Sequence, residues 1–215
     1  MSDLDRRAAP PGKLPGSLAA NPRLDRWLAF DAAGHVTVMP GKVELGQGIL
    51  TVLAQIVAEE LDVAMPRIRL QAASTPDSPN EGVTSGSLSV QDSGMALRHA
   101  AAAARAIHLQ VAAQRSGVAV ESLRVEDGAF LGPDGRQVGS YWLQADAELL
   151  ACEAPADARR KAPDQRRIAG RSAARPVPGV STSMSSAADG LDHDVDDAEV
   201  LAGRTRGRYI AMCGA

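Results

Sequence analysis

An alanine-dominated run from about Ser87 to Arg115 constrains the fold more than any other feature of this chain. Alanine is the best helix former, and Val90, Leu97, Ala101, Ala104, His108 and Val111 recur along one stripe, so the run predicts one long helix. A helix whose buried face is mostly methyl groups must let its neighbours approach closely. The rest of the sequence agrees: aromatic residues make up only 3% of 215 residues, whereas hydrophobic residues reach 45%. The core is therefore expected to consist of small and branched side chains, and the length suits one such core with a less organised tail.

Other elements are arranged around that helix. Trp27, Ala29 and His35-Val-Thr-Val-Met39 flank the turn Asp31-Ala-Ala-Gly34, which predicts a hairpin. Ile49, Val52, Leu53, Ile56 and Leu61 fall at helical spacing up to Asp62. Pro66 stops that pattern, and Arg67-Ile-Arg-Leu-Gln71 alternates as a strand does. Ser74 to Gly82 is rich in turn formers and predicts a loop. Ser122 to Glu126 and Ala129 to Leu131, joined by Asp127-Gly128, predict a tight hairpin. Pro133-Asp-Gly135 marks a further turn, and Tyr141 to Leu150 a short helix. The expected class is α+β, a small mixed sheet with two helices packed on one face in β-β-α-β-α-β-β order. Residues 23–150 form the expected domain, after an extended lead-in at 1–22. A linker at 151–176 and a disordered, Ser- and Asp-rich tail at 177–215 are expected to follow.

The formal net charge of −3 lacks the basic excess that phosphate neutralisation needs, so no nucleic-acid partner is expected. No run is long and apolar enough to predict a membrane span. Arg6-Arg7 precedes the proline-interrupted stretch Ala8 to Pro22 and not an apolar export segment, so the expected location is the cytoplasm. Cys152 and Cys213 are the two cysteines and stand far apart. They offer no iron-sulfur or zinc framework, and no metal ligand is assigned.

Two loops carry the functional signal. Leu45-Gly-Gln-Gly48 stands at a predicted helix start, where free backbone N–H groups attract anions and glycines let a ligand come close. Gln47 adds an amide that donates and accepts. The same four residues would also serve as a simple tight turn. Thr84-Ser-Gly-Ser-Leu-Ser89 places four hydroxyls around one glycine at the next helix start, suited to phosphate oxygens or the polar edge of a heterocycle. One of those hydroxyls is also expected to cap the helix. If the loops converge, a larger ligand with a polar ring system fits them. Glu59-Glu60 reads as a solvated helix face and Glu44 as a loop carboxylate. His99 and His108, nine apart, do not align as a metal-binding pair and read as packed or surface histidines.

The order Lys42-Val-Glu-Leu-Gly-Gln-Gly-Ile49, then Ala58-Glu-Glu-Leu-Asp62, then Thr75 through Ser89 and the Ala-rich helix resembles the opening of molybdopterin-binding subunits in the xanthine dehydrogenase and aldehyde oxidase family. The likeness is to the isoquinoline 1-oxidoreductase-like and nicotinate dehydrogenase-like members, and covers about Asn21 to Gly170. The resemblance implies a molybdenum–molybdopterin cofactor in its cytosine dinucleotide form. Leu45, Gly46 and Gln47 in the first loop and Gly86, Ser87, Leu88 and Ser89 in the second are the implied contacts. It implies oxidation of N-heterocycles or aldehydes, with iron–sulfur clusters on a partner chain.

Family members continue into further domains that supply additional cofactor contacts and a general-base glutamate. Nothing in Val177 to Ala215 matches that continuation, so no catalytic residue is assigned here. The expectation is a cofactor-binding portion that needs the remaining lobe and an iron–sulfur subunit and is inactive alone. A truncated non-catalytic remnant and a generic phosphate-ligand-binding domain are the competing readings.

Overall fold

The computed structural model describes residues 13–162 together with Gln165, Arg167 and Ile168. The expected tail at 177–215 lies outside them, as do residues 1–12 and the rest of 163–176. Helix α1 (Gly16–Ala20) lies inside the segment expected to be extended, and buries Ser17 and Leu18. It is held because the Asp92 carboxylate accepts from Ser17 N (2.9 Å) and Ser17 Oγ (2.6 Å).

Strands β1 (Leu28–Phe30) and β2 (Val36–Val38) form the expected antiparallel hairpin, and β3 (Ile68–Leu70) joins β2 in parallel. Helix α2 (Ile49–Leu61) makes the crossover between β2 and β3, as a parallel pair requires. The helix ends on Asp62 in the left-handed region, φ 54°. Helix α3 (Met95–Ser116) packs against α2. Along its first half it is buried on several faces, with Ala96, Leu97 and Ala100 to Ala104 inaccessible to solvent. The methyl side chains allow that approach, and at the junction before α3 a Cβ on Gly94 would already lie 3.0 Å from Ile56.

The α+β class holds. The strands divide between two sheets, because β4 (Arg124–Glu126), β5 (Ala129–Leu131) and β6 (Gln137–Ser140) pair antiparallel among themselves. Strand β6 adds to the expected order: Gln-Val-Gly-Ser lacks apolar alternation, and its two buried residues are Gly139 and Ser140. The expected helix at Tyr141 to Leu150 is instead two short 3-10 turns, Trp142–Gln144 and Ala147–Leu150.

Arg67 ties the first sheet to the β4–β5 turn. Its guanidinium pairs in bidentate fashion with Asp127 (2.8 Å twice), donates to Gly34 O (3.1 Å) and lies 5.1 Å from the Trp142 ring centroid. Behind it, Phe30, Phe130, Tyr141 and His108 form an aromatic cluster with centroids 4.7 to 6.5 Å apart. The Tyr141 hydroxyl donates to Leu61 O (3.1 Å), and burial pushes its pKa upward.

Glu59 and Glu60 correct a sequence expectation. They are not a solvated face but are 8% and 1% exposed. Glu60 pairs with Arg98 (3.3 Å) and Arg105 (3.1 Å) on α3 and accepts from Lys161 N (2.7 Å). The Glu59 carboxylate accepts from the backbone N–H groups of Arg167 and Ile168. Residues 151–162 thus run back along the domain, where Leu24 N donates to Cys152 O and His99 Nε2 meets Pro155 O at 2.8 Å.

Candidate functional site

The loop between β2 and α2 and the loop before α3 meet, which the sequence could not establish. Gly41 N donates to Glu81 Oε2 (2.7 Å), Lys42 Nζ to the carbonyls of Glu81 (2.7 Å) and Val83 (3.1 Å), and Val43 N to Thr84 Oγ1 (3.0 Å). Three successive residues of one loop therefore bind successive parts of the other. The approach is tight enough that only glycine fits at position 41, where a Cβ would sit 2.3 Å from Pro79 O. Glu81 Oε2 also accepts from Ser93 Oγ (2.9 Å), while its Oε1 is buried without a partner.

Beyond these contacts both loops open to solvent. Leu45, Gly46, Gln47, Gly86, Ser87 and Leu88 are exposed and Ser89 is half-buried. Gly46 (φ 95°), Gly48 (φ 74°), Gly86 (φ 66°) and Ser87 (φ 58°) all lie in the left-handed region. A Cβ at Gly48 would meet nothing within 4 Å. Its glycine is demanded by backbone conformation and not by crowding, which leaves the loop surface open to an approaching group.

The first loop differs from a free anion site. The Glu44 carboxylate accepts from Gly46 N and Gly48 N (2.8 Å each) and from Leu50 N (3.1 Å). It thereby satisfies the start of α2, where Gly48 provides no side-chain cap. Gln47 is also engaged within its loop: Nε2 donates to Val43 O (3.0 Å) and Oε1 accepts from Leu45 N. Glu44 is a loop carboxylate, as expected; its capping role was missed, and the signal that could have found it is that acidic groups favour helix starts.

The second loop enters α3 through a π-helical segment, Ser89–Gly94. The expected hydroxyl cap is absent, since neither this segment nor α3 has a side-chain cap hydrogen bond. Thr84 Oγ1 accepts from Val43 N instead, while Ser87 is exposed and Ser89 half-buried. Wide helical turns of this kind recur at functional sites. Apolar side chains surround the loops, with Val43, Leu45, Val83, Leu88 and Val90 each 40% exposed or more. An open groove of about 340 Å³ lined by Val52, Ile56, Val90 and Met95 lies between α2 and the π-helical segment. None of the seven sequence-derived contact residues lines it.

The chemistry of this edge is hydrogen bonding and close backbone approach beside an apolar rim. It suits a polar ring system better than a bare phosphate, because the helix-start amides already hold Glu44. Among the described residues no group of three His, Cys, Asp or Glu side chains could hold a metal ion, and no helix is long and apolar enough to cross a membrane. His99 and His108 are packed, 4% and 1% exposed.

Comparison with known proteins bears on the same region. A family model described as a molybdopterin cofactor-binding domain matches residues 15–167. The chain is 40% identical over 157 residues to one of the subunits of nicotinate dehydrogenase from Pseudomonas putida, covering 73% of this chain and 13% of that protein. It is 33% identical over 134 residues to the beta chain of isoquinoline 1-oxidoreductase from Brevundimonas diminuta, covering 59% and 17%. Among solved structures, reconstituted CO dehydrogenase from Oligotropha carboxidovorans matches with a TM-score of 0.44 and 28% identity, over 52% of this chain and 14% of that one. The chain thus spans less than a fifth of the length of these curated relatives.

Proposed function

Because the chain belongs to the molybdopterin cofactor-binding domain family, we propose that it holds part of a molybdopterin, in the cytosine dinucleotide form, along the edge made by its two stitched loops. The observation that carries this reading is the set of contacts from Gly41, Lys42 and Val43 to Glu81, Val83 and Thr84. They make one continuous edge from two loops that are distant in sequence. Leu45, Gly46 and Gln47 hold one side of the cofactor, and Gly86, Ser87, Leu88 and Ser89 the other. The residues fit such a group: the exposed Ser87 carries a hydroxyl, the left-handed glycines let a ligand approach the backbone closely, and Leu45 and Leu88 offer apolar cover for a ring face.

When bound, the cofactor supplies a molybdenum centre, held by its own dithiolene, for two-electron oxidation. This chain's residues bind and orient it. None of the seven contacts is an acid or base suited to moving the reacting proton, so that group comes from further polypeptide. In this reading the whole assembly oxidises an N-heterocycle or an aldehyde, a partner chain carries the iron–sulfur clusters, and residues 23–150 form the binding unit. The chain alone is inactive.

A free-phosphate site at the start of α2 is disfavoured, because Glu44 takes the amides that such a site would use. The test is to produce the chain in a host that makes molybdopterin, alone and with candidate partner subunits, and to assay bound molybdenum and pterin. Cofactor retained with partners and lost from the lone chain is expected. Absence of both molybdenum and pterin under every condition contradicts the proposal.

A further inference from the structure

Lys42 has no role in the reading above beyond joining two loops, yet it is 2% exposed while its neighbour Val43 is 47% exposed. Burying an ammonium group is costly unless its protons are taken up by acceptors. Here the acceptors are main-chain carbonyls, Glu81 O at 2.7 Å and Val83 O at 3.1 Å. They stand on either side of Gly82, whose φ of +65° bends the chain between them. The ammonium therefore fixes the path of the backbone leading into Gly86 to Ser89.

Further contacts place Lys42 at the centre of a small frame. Next to it, Gly41 N reaches Glu81 Oε2, which is also held by Ser93 of the π-helical segment. Burial pushes the Asp92 carboxyl up, but hydrogen bonds from Ser17 and the charge of Lys42 outweigh that and hold it below the ordinary carboxylate value. The cation thus holds the loop before the π-helical segment, and the Glu81 carboxylate ties that loop to the segment through Ser93. Val43 and Thr84 are joined at the exposed end of the same frame (3.0 Å).

We propose that Lys42 is a positioning residue for the cofactor edge: it sets the spacing between Leu45–Gln47 and Gly86–Ser89 through the carbonyls of Glu81 and Val83, without touching the cofactor. The inference rests on the reading of these loops as the cofactor edge, and its test separates the two claims. Lys42→Met keeps a long side chain but leaves both carbonyls without their donor. The full chain carrying this substitution is compared with wild type and with Arg67→Ala, whose lost ion pair lies elsewhere in the fold. Limited proteolysis of the cofactor-free chains reads the loop directly, and pterin content after co-production with partner subunits reads cofactor retention.

Lys42→Met is expected to raise cleavage within 82–89 at least tenfold and to lower pterin content at least fivefold. Arg67→Ala, at a comparable or larger fall in melting temperature, is expected to change neither. Unchanged cleavage within 82–89 in Lys42→Met overturns the positioning role, whatever the pterin result. Increased cleavage with normal pterin content overturns it as well, because the loop spacing would then not govern retention. Should wild type hold no pterin under any condition, the reading of the loops falls, and the proposal falls with it even where cleavage responds. If Lys42→Met does not fold, Lys42→Arg decides the matter. Its bulkier, planar head alters the spacing while keeping the charge, so a loss of pterin at near-normal melting temperature is expected and undiminished pterin overturns the proposal.

Discussion

At the scale of single residues, two carboxyl- and imidazole-centred features give separate predictions. Glu44 is the resident anion of the α2 start, accepting three backbone N–H bonds. Glu44→Ala removes it and costs about 1 kcal/mol, the usual effect of a lost helix-start cap. The freed amides then become an anion site, so sulfate or phosphate raises the melting temperature of Glu44→Ala more than that of wild type. Equal responses in the two proteins contradict the assignment. His108 is neutral in the fold: Nδ1 donates to Gln144 Oε1 (3.2 Å), while Nε2 is buried without a partner. Burial lowers its pKa from 6.5 to about 4, against the opposing effect of the hydrogen bond to Gln144. The unfolded chain therefore binds a proton below pH 6.5 that the folded chain refuses until about pH 4. Stability is full above the upper value and declines by about 3 kcal/mol across that window as the pH falls. Urea unfolding at several pH values reads this slope, and His108→Gln should flatten it between the two limits.

Among elements, α2 and α3 were legible because their apolar spacing is regular and alanine favours a helix. The hairpin of β1 and β2 and the strand β3 were legible from alternation and from turn residues at Asp31 to Gly34 and at Pro66. Strand β6 was not, since Gln137 to Ser140 has no alternating pattern and joins the sheet through pairing with Phe130 and its neighbours. The separation into two sheets is a matter of long-range pairing that local patterns do not carry. The π-helical turn shifts the phase of the Ala-rich stripe, which explains why Val90, assigned to the buried stripe, is 49% exposed. Adjacent acids on a helix read as a solvated face, and Glu59-Glu60 misled for that reason. The counter-signal was Arg98 and Arg105, one heptad apart on the facing helix. Glu60→Gln breaks buried pairs with both arginines and is expected to cost about 3 kcal/mol. It should also release residues 155–162, read as faster tryptic cleavage at Arg159, Arg160 and Lys161. An unchanged cleavage rate contradicts the view that Glu60 holds this segment.

On the scale of the molecule, the two loops were legible one by one, and their meeting was not. Glycine and hydroxyl residues at helix starts drew attention to each loop, but the contact between them depends on a buried lysine and a buried glutamate that look like ordinary surface charges in the sequence. Membership of the molybdopterin cofactor-binding domain family agrees with the resemblance read from Lys42 to Ser89. The loops' surroundings, with Leu45, Val83 and Leu88 exposed at the rim, suit an edge that meets a ligand. The measurement that tests this most directly is amide hydrogen exchange of the chain with candidate partner subunits, compared between the molybdopterin-loaded and molybdopterin-free states. Slower exchange in the loaded state at both 44–48 and 85–89 is the predicted result. Slowing at neither loop, or at one alone, contradicts a single cofactor edge built from the two.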